Sequence, residues 1–177
     1  DGDTDYFGKL DGVGYVVQLN DGNGRFTPGW QMADEQATVG GIALADFDSD
    51  GDLDALIANG FRTTGSFPTR LLWNDGRGQF SDSEQQLNAT LAAEVGTADR
   101  NGEGAVDVFV TNMDLPDEVW LNDGQGNLLD SGLRLGDGNN MSSKPSLGDL
   151  DGDGDVDVFV GSLTDRPTVW FNVMADE

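Results

Sequence analysis

The sequence predicts an all-β fold built from repeated antiparallel sheets, and three observations lead to this prediction. An aspartate-rich template recurs along the chain, with its last residue at positions 5, 54, 107 and 157. A second signature, Asn-Asp-Gly-x-Gly, recurs out of phase with the first, starting at positions 20, 74 and 122. Glycine accounts for 26 of the 177 residues, about twice its usual share of ~7%. Short strands joined by many tight turns are typical of such a composition.

The aspartate-rich template is a nine-residue loop that precedes a short apolar segment. Its complete copies read DFDSDGDLD at 46–54, DRNGEGAVD at 99–107 and DLDGDGDVD at 149–157. The segment 1–5, DGDTD, matches the last five positions of the template. In chain order these segments are loops 1 to 4. Gly51, Gly104 and Gly154 occupy the position where we expect the backbone to turn sharply.

Each repeat of about 50 residues is expected to contain four strands, A to D. The expected strands are A at 39–45, B at 53–58, 106–111 and 156–161, and C at 70–74, 118–122 and 168–172. Strand D begins near Phe26, Phe80 and Leu128, after the Asn-Asp-Gly signature. That signature favours a hairpin because the turn needs residues that tolerate positive φ. A short helical turn is also considered within residues 84–94.

Four strands per repeat of this length are typical of a β-propeller blade. We therefore predict a β-propeller of four-stranded antiparallel blades, with residues 1–177 forming a single domain. Two repeats are complete, at 39–82 and 92–130, and two are partial, at 1–30 and 145–177, so about three and a half blades are present. A closed propeller needs at least ~4 blades. Because partial blades leave unpaired strand edges, we expect no stable free monomer. The expected alternatives are that the chain is part of a larger propeller or that other chains complete it.

Charge and composition exclude several classes of function. The chain has 33 acidic and 9 basic residues, no histidine and no cysteine, and a formal net charge of -24. A surface this acidic repels phosphate backbones, so no nucleic-acid partner is expected. The composition leaves no imidazole base, no histidine-ligated zinc and no disulfide. The apolar runs, such as residues 108–110, are too short to span a membrane.

The aspartate loops indicate a metal site. Loops 2 and 4 each carry acids at alternate positions along nine residues, and such like charges repel unless a cation balances them. Oxygen ligands suit a hard cation, and a flexible loop with six or more oxygens suits Ca²⁺ better than Mg²⁺. An EF-hand needs a glutamate at position twelve, where this chain has Ile57, Val110 or Val160. Solvated Asp-Gly turns are the alternative, which the recurrence of the template disfavours.

The loop and the Asn-Asp-Gly-x-Gly-x-Phe hairpin together resemble the FG-GAP/VCBS repeat of integrin α-subunit propellers and many secreted bacterial proteins. The resemblance implies Ca²⁺ as the cofactor. The implied side-chain ligands are Asp46, Asp48, Asp50 and Asp54 in loop 2, Asp99, Asn101, Glu103 and Asp107 in loop 3, and Asp149, Asp151, Asp153 and Asp157 in loop 4. The implied ligands through backbone carbonyls are Asp52, Ala105 and Asp155. Loop 3 is expected to be the weaker site, because Asn101 and Glu103 replace aspartates and Arg100 adds a positive charge.

From this resemblance we expect a secreted calcium-binding β-propeller module, located outside the cell or on its surface, for adhesion or structural assembly. The expected partners are other copies of the chain or further blades of a larger one, with glycans or extracellular proteins beyond them. A lectin-type propeller is the alternative. In that alternative Trp30, Trp73, Trp120 and Trp170 would stack on sugars, whereas the competing interpretation places them in cores between blades.

An enzyme that uses paired carboxylates, such as a glycosidase or a lyase, is the third alternative. Nearly all the acids cluster in the aspartate loops, and none stands alone in an apolar stretch of sequence. We therefore expect no enzymatic activity. Two N-glycosylation sequons, at Asn88 and Asn140, fall in equivalent connections between strands D and A, and they matter only in an exported protein.

Overall fold

The computed structural model describes residues 2–33, 40–58, 68–87, 92–138 and 141–172, and all regular secondary structure within them is β-strand. No helix in these ranges is long and apolar enough to cross a membrane. The strands are β1 (Tyr6–Leu10), β2 (Gly14–Asn20), β3 (Phe26–Ala33), β4 (Ile42–Ala45), β5 (Asp54–Ile57), β6 (Thr69–Asn74), β7 (Phe80–Leu87), β8 (Ala92–Ala98), β9 (Asp107–Asn112), β10 (Asp117–Asn122), β11 (Leu128–Leu135), β12 (Ser142–Gly148), β13 (Asp157–Ser162) and β14 (Thr168–Trp170).

The strands form four separate antiparallel sheets, which are blades 1 to 4 in chain order. Blade 1 contains β1 to β3, blade 2 contains β4 to β7, blade 3 contains β8 to β11, and blade 4 contains β12 to β14. Every strand pairs with its neighbour in the chain, so each blade is a meander. The predicted all-β fold of antiparallel blades is confirmed, and none of the four sheets in the described residues closes on itself.

The final aspartate of loops 2, 3 and 4 is the first residue of strand B. It pairs with the last residue of strand A, as in Ala45 with Asp54 and Ala98 with Asp107. The B strands therefore begin one residue later than the sequence predicts. Residue 39, where the first A strand was expected to begin, lies outside the described residues, and β4 begins at Ile42.

The prediction of a short helical turn within residues 84–94 is wrong for the part of this segment that the structure describes. Strand β7 continues to Leu87 and β8 begins at Ala92, while residues 88–91 lie outside the described ranges. As the outer strand of blade 2, β7 can expose its polar side chains to water while its backbone pairs with β6. The pairing of β6 with β7 shifts register between Arg70 and Leu72, and Glu84 of β7 has a φ of 62°. Such a local irregularity is typical of a β-bulge.

Successive blades pack face to face through three apolar clusters. Blades 1 and 2 share Phe7, Tyr15, Trp30, Ala55, Ile57, Leu72 and Phe80. Blades 2 and 3 share Leu56, Leu71, Trp73, Val95, Val108, Val110, Trp120 and Leu128. Blades 3 and 4 share Phe109, Val119, Leu121, Leu147, Val158, Val160 and Trp170. Alternate side chains of a strand point to opposite faces, so each central blade contacts the blade before it with one face and the blade after it with the other.

Strand A lies at the inner end of each blade that contains it. The A strands of blades 2 and 3, β4 and β8, contact each other, and β8 also contacts β12 of blade 4. Close approach of the A strands depends on small residues, because a side chain at Gly40 or Gly41 would collide with residues 92–95 of β8. This stacking of twisted sheets about their first strands is the arrangement of propeller blades.

A buried carboxylate joins blades 3 and 4 at the end where strands B and C connect. Asp117, the first residue of β10, accepts the backbone N–H of Asn112 at 2.9 Å and the hydroxyl of Ser142 in β12 at 3.2 Å. Burial raises the pKa of Asp117 to about 6, against the lowering effect of both hydrogen bonds. The sequence did not single out this acid, because its burial arises only when blade 4 packs against blade 3.

We expect Asp117→Asn to change how stability depends on pH. The folded-state pKa of about 6 lies above the unfolded value of about 3.9, so ionisation of Asp117 destabilises the native state as the pH rises through this window. Asparagine can accept the Asn112 N–H without a charge. The unfolding free energy of Asp117→Asn, relative to the original chain, should therefore rise by about 2–3 kcal/mol between pH 4 and pH 7.

Urea denaturation at the two pH values measures this difference. Asp114→Asn is the matched control, because it removes the charge of an exposed aspartate from the same connection. A stability difference between Asp117→Asn and the original chain that is equal at pH 4 and pH 7 would contradict the prediction.

Candidate metal centre

Two aspartate loops bring three carboxylates together. In loop 2, Asp46, Asp48 and Asp50 each offer one oxygen, and these oxygens all lie within 4.8 Å of one another. In loop 4, the equivalent residues Asp149, Asp151 and Asp153 make the same arrangement. The two sets are the trio of loop 2 and the trio of loop 4. They occupy the first, third and fifth positions of the template, which are three of the four predicted side-chain ligand positions.

The first aspartate of each loop holds the backbone in a tight turn. Asp46 accepts the N–H groups of Asp50 and Gly51, both at 3.1 Å. Asp149 likewise accepts the N–H groups of Gly152 at 2.6 Å and Gly154 at 3.1 Å. Gly51 and Gly154 have φ values of 97° and 95°, which strain any residue with a side chain. The predicted sharp turn at these glycines is confirmed, as it is at Gly104 with a φ of 87°.

The last aspartate of loops 2, 3 and 4 does not belong to a carboxylate trio. Asp54 is buried, and its two oxygens accept the N–H of Phe47 at 3.1 Å and the N–H of Asn74 at 2.9 Å. Asp107 and Asp157 repeat both contacts, at distances from 2.8 to 3.0 Å. In blades 2, 3 and 4 this carboxylate joins the aspartate loop to the asparagine at the end of strand C. Backbone donors thus already engage both oxygens of the fourth predicted side-chain ligand.

The seventh position of the loop directs its side chain toward the hairpin. The carboxylate of Asp52 lies against Gly76, so closely that a side chain on that glycine would collide with it. Ala105 faces Gly124 in the same way in blade 3. A side chain placed there has no part in the trio, and ligation through the backbone carbonyl at this position stays a prediction. The place of this side chain outside the trio also explains how alanine is accommodated in loop 3.

Within the part of the chain that the structure describes, no basic side chain balances the charge of the trios. Elsewhere arginine neutralises acids directly, as in Arg70 with Asp82 and Arg134 with Asp130 at 2.7 Å. The Arg134 hydrogen bond lowers the pKa of Asp130 to about 2. Within the described ranges no lysine or arginine forms an ion pair with either trio. Three carboxylates at this separation repel one another strongly, so the donor set fits a divalent cation that prefers oxygen ligands.

Loop 3 does not form a carboxylate trio of this kind. Its third position is Asn101, and its first residue, Asp99, accepts the N–H groups of Gly102 and Gly104, both at 2.8 Å. The guanidinium of Arg100 donates to Asn172 of blade 4 at 2.8 Å. Burial raises the pKa of Asp107, while the Arg100 charge and two backbone donors oppose that rise. Loop 3 therefore has the same backbone turn with fewer negative charges.

The hairpin asparagine connects an aspartate loop to the next blade. Asn122 of blade 3 donates from Nδ2 to the carbonyl of Phe47 in loop 2 at 2.8 Å. Asn172 of blade 4 donates to the carbonyl of Arg100 in loop 3 at 3.0 Å. Phe47 and Arg100 each stand between two predicted ligands, so this contact positions the loop. The asparagine that begins every hairpin signature was the feature of the sequence that pointed to these residues. The sequence did not predict that this asparagine contacts another blade.

The other residues singled out in the sequence have clear positions. Trp120 is buried, and Trp30, Trp73 and Trp170 pack in clusters between blades. This placement favours the core interpretation of the tryptophans over sugar stacking. The sequons at Asn88 and Asn140 lie outside the described residues.

Comparison with known proteins identifies part of the chain. A family model described as an FG-GAP-like repeat matches residues 99–160, from the first aspartate of loop 3 to strand β13 of blade 4. The matched segment contains strands β9 to β11 of blade 3 and the trio of loop 4. A search of curated proteins found no significant match to the chain.

Replacing Asn122 should weaken the whole loop end of blade 3. Its Nδ2 donates to two carbonyls, and its Oδ1 accepts the N–H groups of Gly124 and Gly126. Asn122→Ala leaves these buried groups without partners, so we expect it to lower the unfolding free energy by about 2–3 kcal/mol.

Chemical denaturation of the two chains in the same buffer tests this expectation. Asn127→Ala is the control, because Asn127 is an exposed residue of the same hairpin whose side chain donates to the nearby Asp123. Similar losses in the two variants would show that Asn122 has no special structural role.

Proposed function

Because residues 99–160 contain an FG-GAP-like repeat, we propose that the chain is a calcium-binding module of the β-propeller type. The observation that carries this proposal is the pair of carboxylate trios in loops 2 and 4. Both are held by the same backbone turn, and neither has a protein cation beside it within the described ranges. A bound Ca²⁺ would supply the positive charge that these loops lack.

The proposed role of the metal is to stiffen the contact between blades. In loop 2, the trio surrounds Phe47, whose carbonyl accepts the Asn122 side chain of blade 3. The N–H of Phe47 is held by Asp54, which also binds the hairpin of its own blade. A cation that restrains Asp46 and Asp48 would therefore restrain a junction of two blades, and not only a surface loop. Oxygen ligands in the unfolded chain lack this preorganisation, so binding should favour the native state.

We propose that this stiffened module serves adhesion or structural assembly outside the cell or at its surface. FG-GAP repeats are typically extracellular, and they are typically structural or binding modules without enzymatic activity. The net charge of -24 opposes close association of chains, and bound cations reduce that repulsion. Calcium would thus support both the fold of the module and its association with partners.

Carbohydrate binding is the second candidate function. A groove between blades 1 and 2 is lined by Asp5, Asn74 and Arg77 beside the rings of Phe7 and Phe80. Carboxylate, amide and guanidinium groups next to aromatic rings are the side chains that recognise sugars. Binding to a glycan array that is lost in Arg77→Ala would favour this function.

Calcium should raise the thermal stability of the chain. A ligand at one hundred times its Kd adds about 2.7 kcal/mol per site, so two occupied trios would contribute about 5 kcal/mol. For a chain of this length we expect a Tm higher by at least about 10 °C in millimolar CaCl₂ than in EDTA. Thermal unfolding followed by circular dichroism measures the shift, with MgCl₂ as the control cation. An identical Tm in EDTA and in calcium would refute the proposed function.

The loops should contribute unequally to calcium binding. Asp50→Ala and Asp153→Ala each remove a member of a trio, whereas Glu103→Ala alters loop 3, which has no such trio. We expect either aspartate substitution to reduce the calcium-dependent rise in Tm by roughly half, and Glu103→Ala to reduce it less. Calorimetric titration of the three variants gives the number of sites directly. Equal losses in all three would count against the assignment of the sites.

A further inference from the structure

The contact between blades 3 and 4 differs from the contact between blades 2 and 3 at its aspartate loop. The second residue of loop 2 is Phe47, which is fully buried in the apolar cluster shared with blade 3. The second residue of loop 3 is Arg100, which lines the crevice between blades 3 and 4 together with the buried Asp107. Loop 3 therefore directs a positive charge toward the next blade, where loop 2 directs an aromatic ring.

Arg100 and Asn172 form a reciprocal pair across the two blades. Nη2 of Arg100 donates to Oδ1 of Asn172 at 2.8 Å, and Nδ2 of Asn172 donates to the carbonyl of Arg100 at 3.0 Å. Asn172 is only 6% exposed, so water competes weakly for these bonds. In the contact between blades 2 and 3, Asn122 donates to the carbonyl of Phe47, but the phenylalanine ring has no donor to return. The Arg100 guanidinium thus adds a charge-assisted hydrogen bond to the contact between blades 3 and 4.

Two departures from the repeat meet in this pair. In repeat 3, Oδ1 of Asn122 accepts the N–H groups of the two glycines in its own hairpin. In repeat 4 the sequence replaces both glycines, with methionine at 174 and aspartate at 176. The side-chain oxygen of Asn172 accepts the guanidinium of Arg100. The arginine of loop 3 therefore provides a donor for an oxygen that the hairpin glycines engage in the preceding repeat.

Loop 3 does not fit a divalent cation in the way that loops 2 and 4 do. Its nine residues contain three acids and one arginine, whereas loops 2 and 4 each contain five acids and no basic residue. The first residue of loop 3, Asp99, accepts three backbone N–H groups, from residues 102 to 104, at 2.8 to 3.1 Å. Backbone donors thus close the turn of loop 3, and no trio of carboxylates has to be neutralised there.

We propose that Arg100 and Asn172 hold blade 4 on blade 3 without calcium, so that of these two contacts calcium controls only the one between blades 2 and 3. This inference rests on the proposed calcium-binding function and names the contact that the metal regulates. Without a cation, the trio of loop 2 repels itself and loosens the Phe47 carbonyl that Asn122 binds. Loop 3 keeps its turn, and blades 3 and 4 remain one unit.

Hydrogen exchange of the original chain, followed by mass spectrometry in EDTA and in millimolar CaCl₂, tests the proposal without any substitution. We expect peptides from loop 2 to exchange at least about tenfold more slowly in calcium. Peptides from loop 3 should exchange equally in both buffers. Loop 4, which has a trio, is the internal control and should respond as loop 2 does. A calcium-dependent protection of loop 3 as large as that of loop 2 would overturn the proposal.

Removal of the guanidinium tests the role of the pair itself. Arg100→Ala should make loop 3 exchange at least about tenfold faster than in the original chain, both in EDTA and in calcium. Arg77→Ala is the matched control, because it removes an exposed arginine from the hairpin of blade 2 and should leave loop 3 unchanged. Unaltered exchange of loop 3 in Arg100→Ala, or protection that calcium restores in this variant, would contradict the assigned role.

A gain of calcium binding provides the converse test. The triple variant Arg100→Phe/Asn101→Asp/Glu103→Asp gives loop 3 the first, second, third and fifth residues of loop 2. Calorimetric titration should find two calcium sites in the original chain, one for each trio, and three in the variant. Three sites in the original chain, or an unchanged number in the variant, would overturn this inference and leave the proposed function intact. A complete lack of calcium binding in the original chain would instead overturn the proposed function.

Discussion

One buried carboxylate in each of blades 2, 3 and 4 holds the loop end of that blade together. Asp54, Asp107 and Asp157 are buried, and each accepts one N–H from its aspartate loop and one from its hairpin. An ionised carboxylate buried without such donors would be strongly destabilising, so the two contacts must form together. In loops 2, 3 and 4 the donor residue of the loop lies seven positions before the aspartate. The shape of the aspartate loop follows from this requirement.

The contacts of this buried carboxylate position side chains on two sides of the aspartate loop. Toward solvent, the fixed loop brings the first, third and fifth side chains together, which creates the trios in loops 2 and 4. Toward the next blade, Asn122 and Asn172 bind the carbonyls of Phe47 and Arg100. The proposed metal sites and the contacts between blades are therefore built on the same few residues of backbone. A change at one of them should be felt at the other.

The two ends of the blades use polar groups differently. At the loop end, backbone donors and the proposed cations balance a high density of aspartates. At the other end, the single buried Asp117 joins blades 3 and 4 through Asn112 and Ser142, with a pKa raised to about 6 by burial. Apolar clusters between blades fill the space between the two ends.

The sequence by itself determined the repeat, the strands and the turns, because all three depend on residues close together in the chain. Alternating apolar residues specified the B and C strands to within one residue, except that the last C strand ends at Trp170 and not at 172. Gly51, Gly104 and Gly154 specified the sharp turns. Only the tertiary structure decided which polar groups are buried and what they contact. The Asn122 contact spans 75 residues and the Asn172 contact spans 72, and Asp117 accepts the hydroxyl of Ser142 from another blade. Local patterns cannot encode such contacts, since burial and pairing arise when separate sheets pack together.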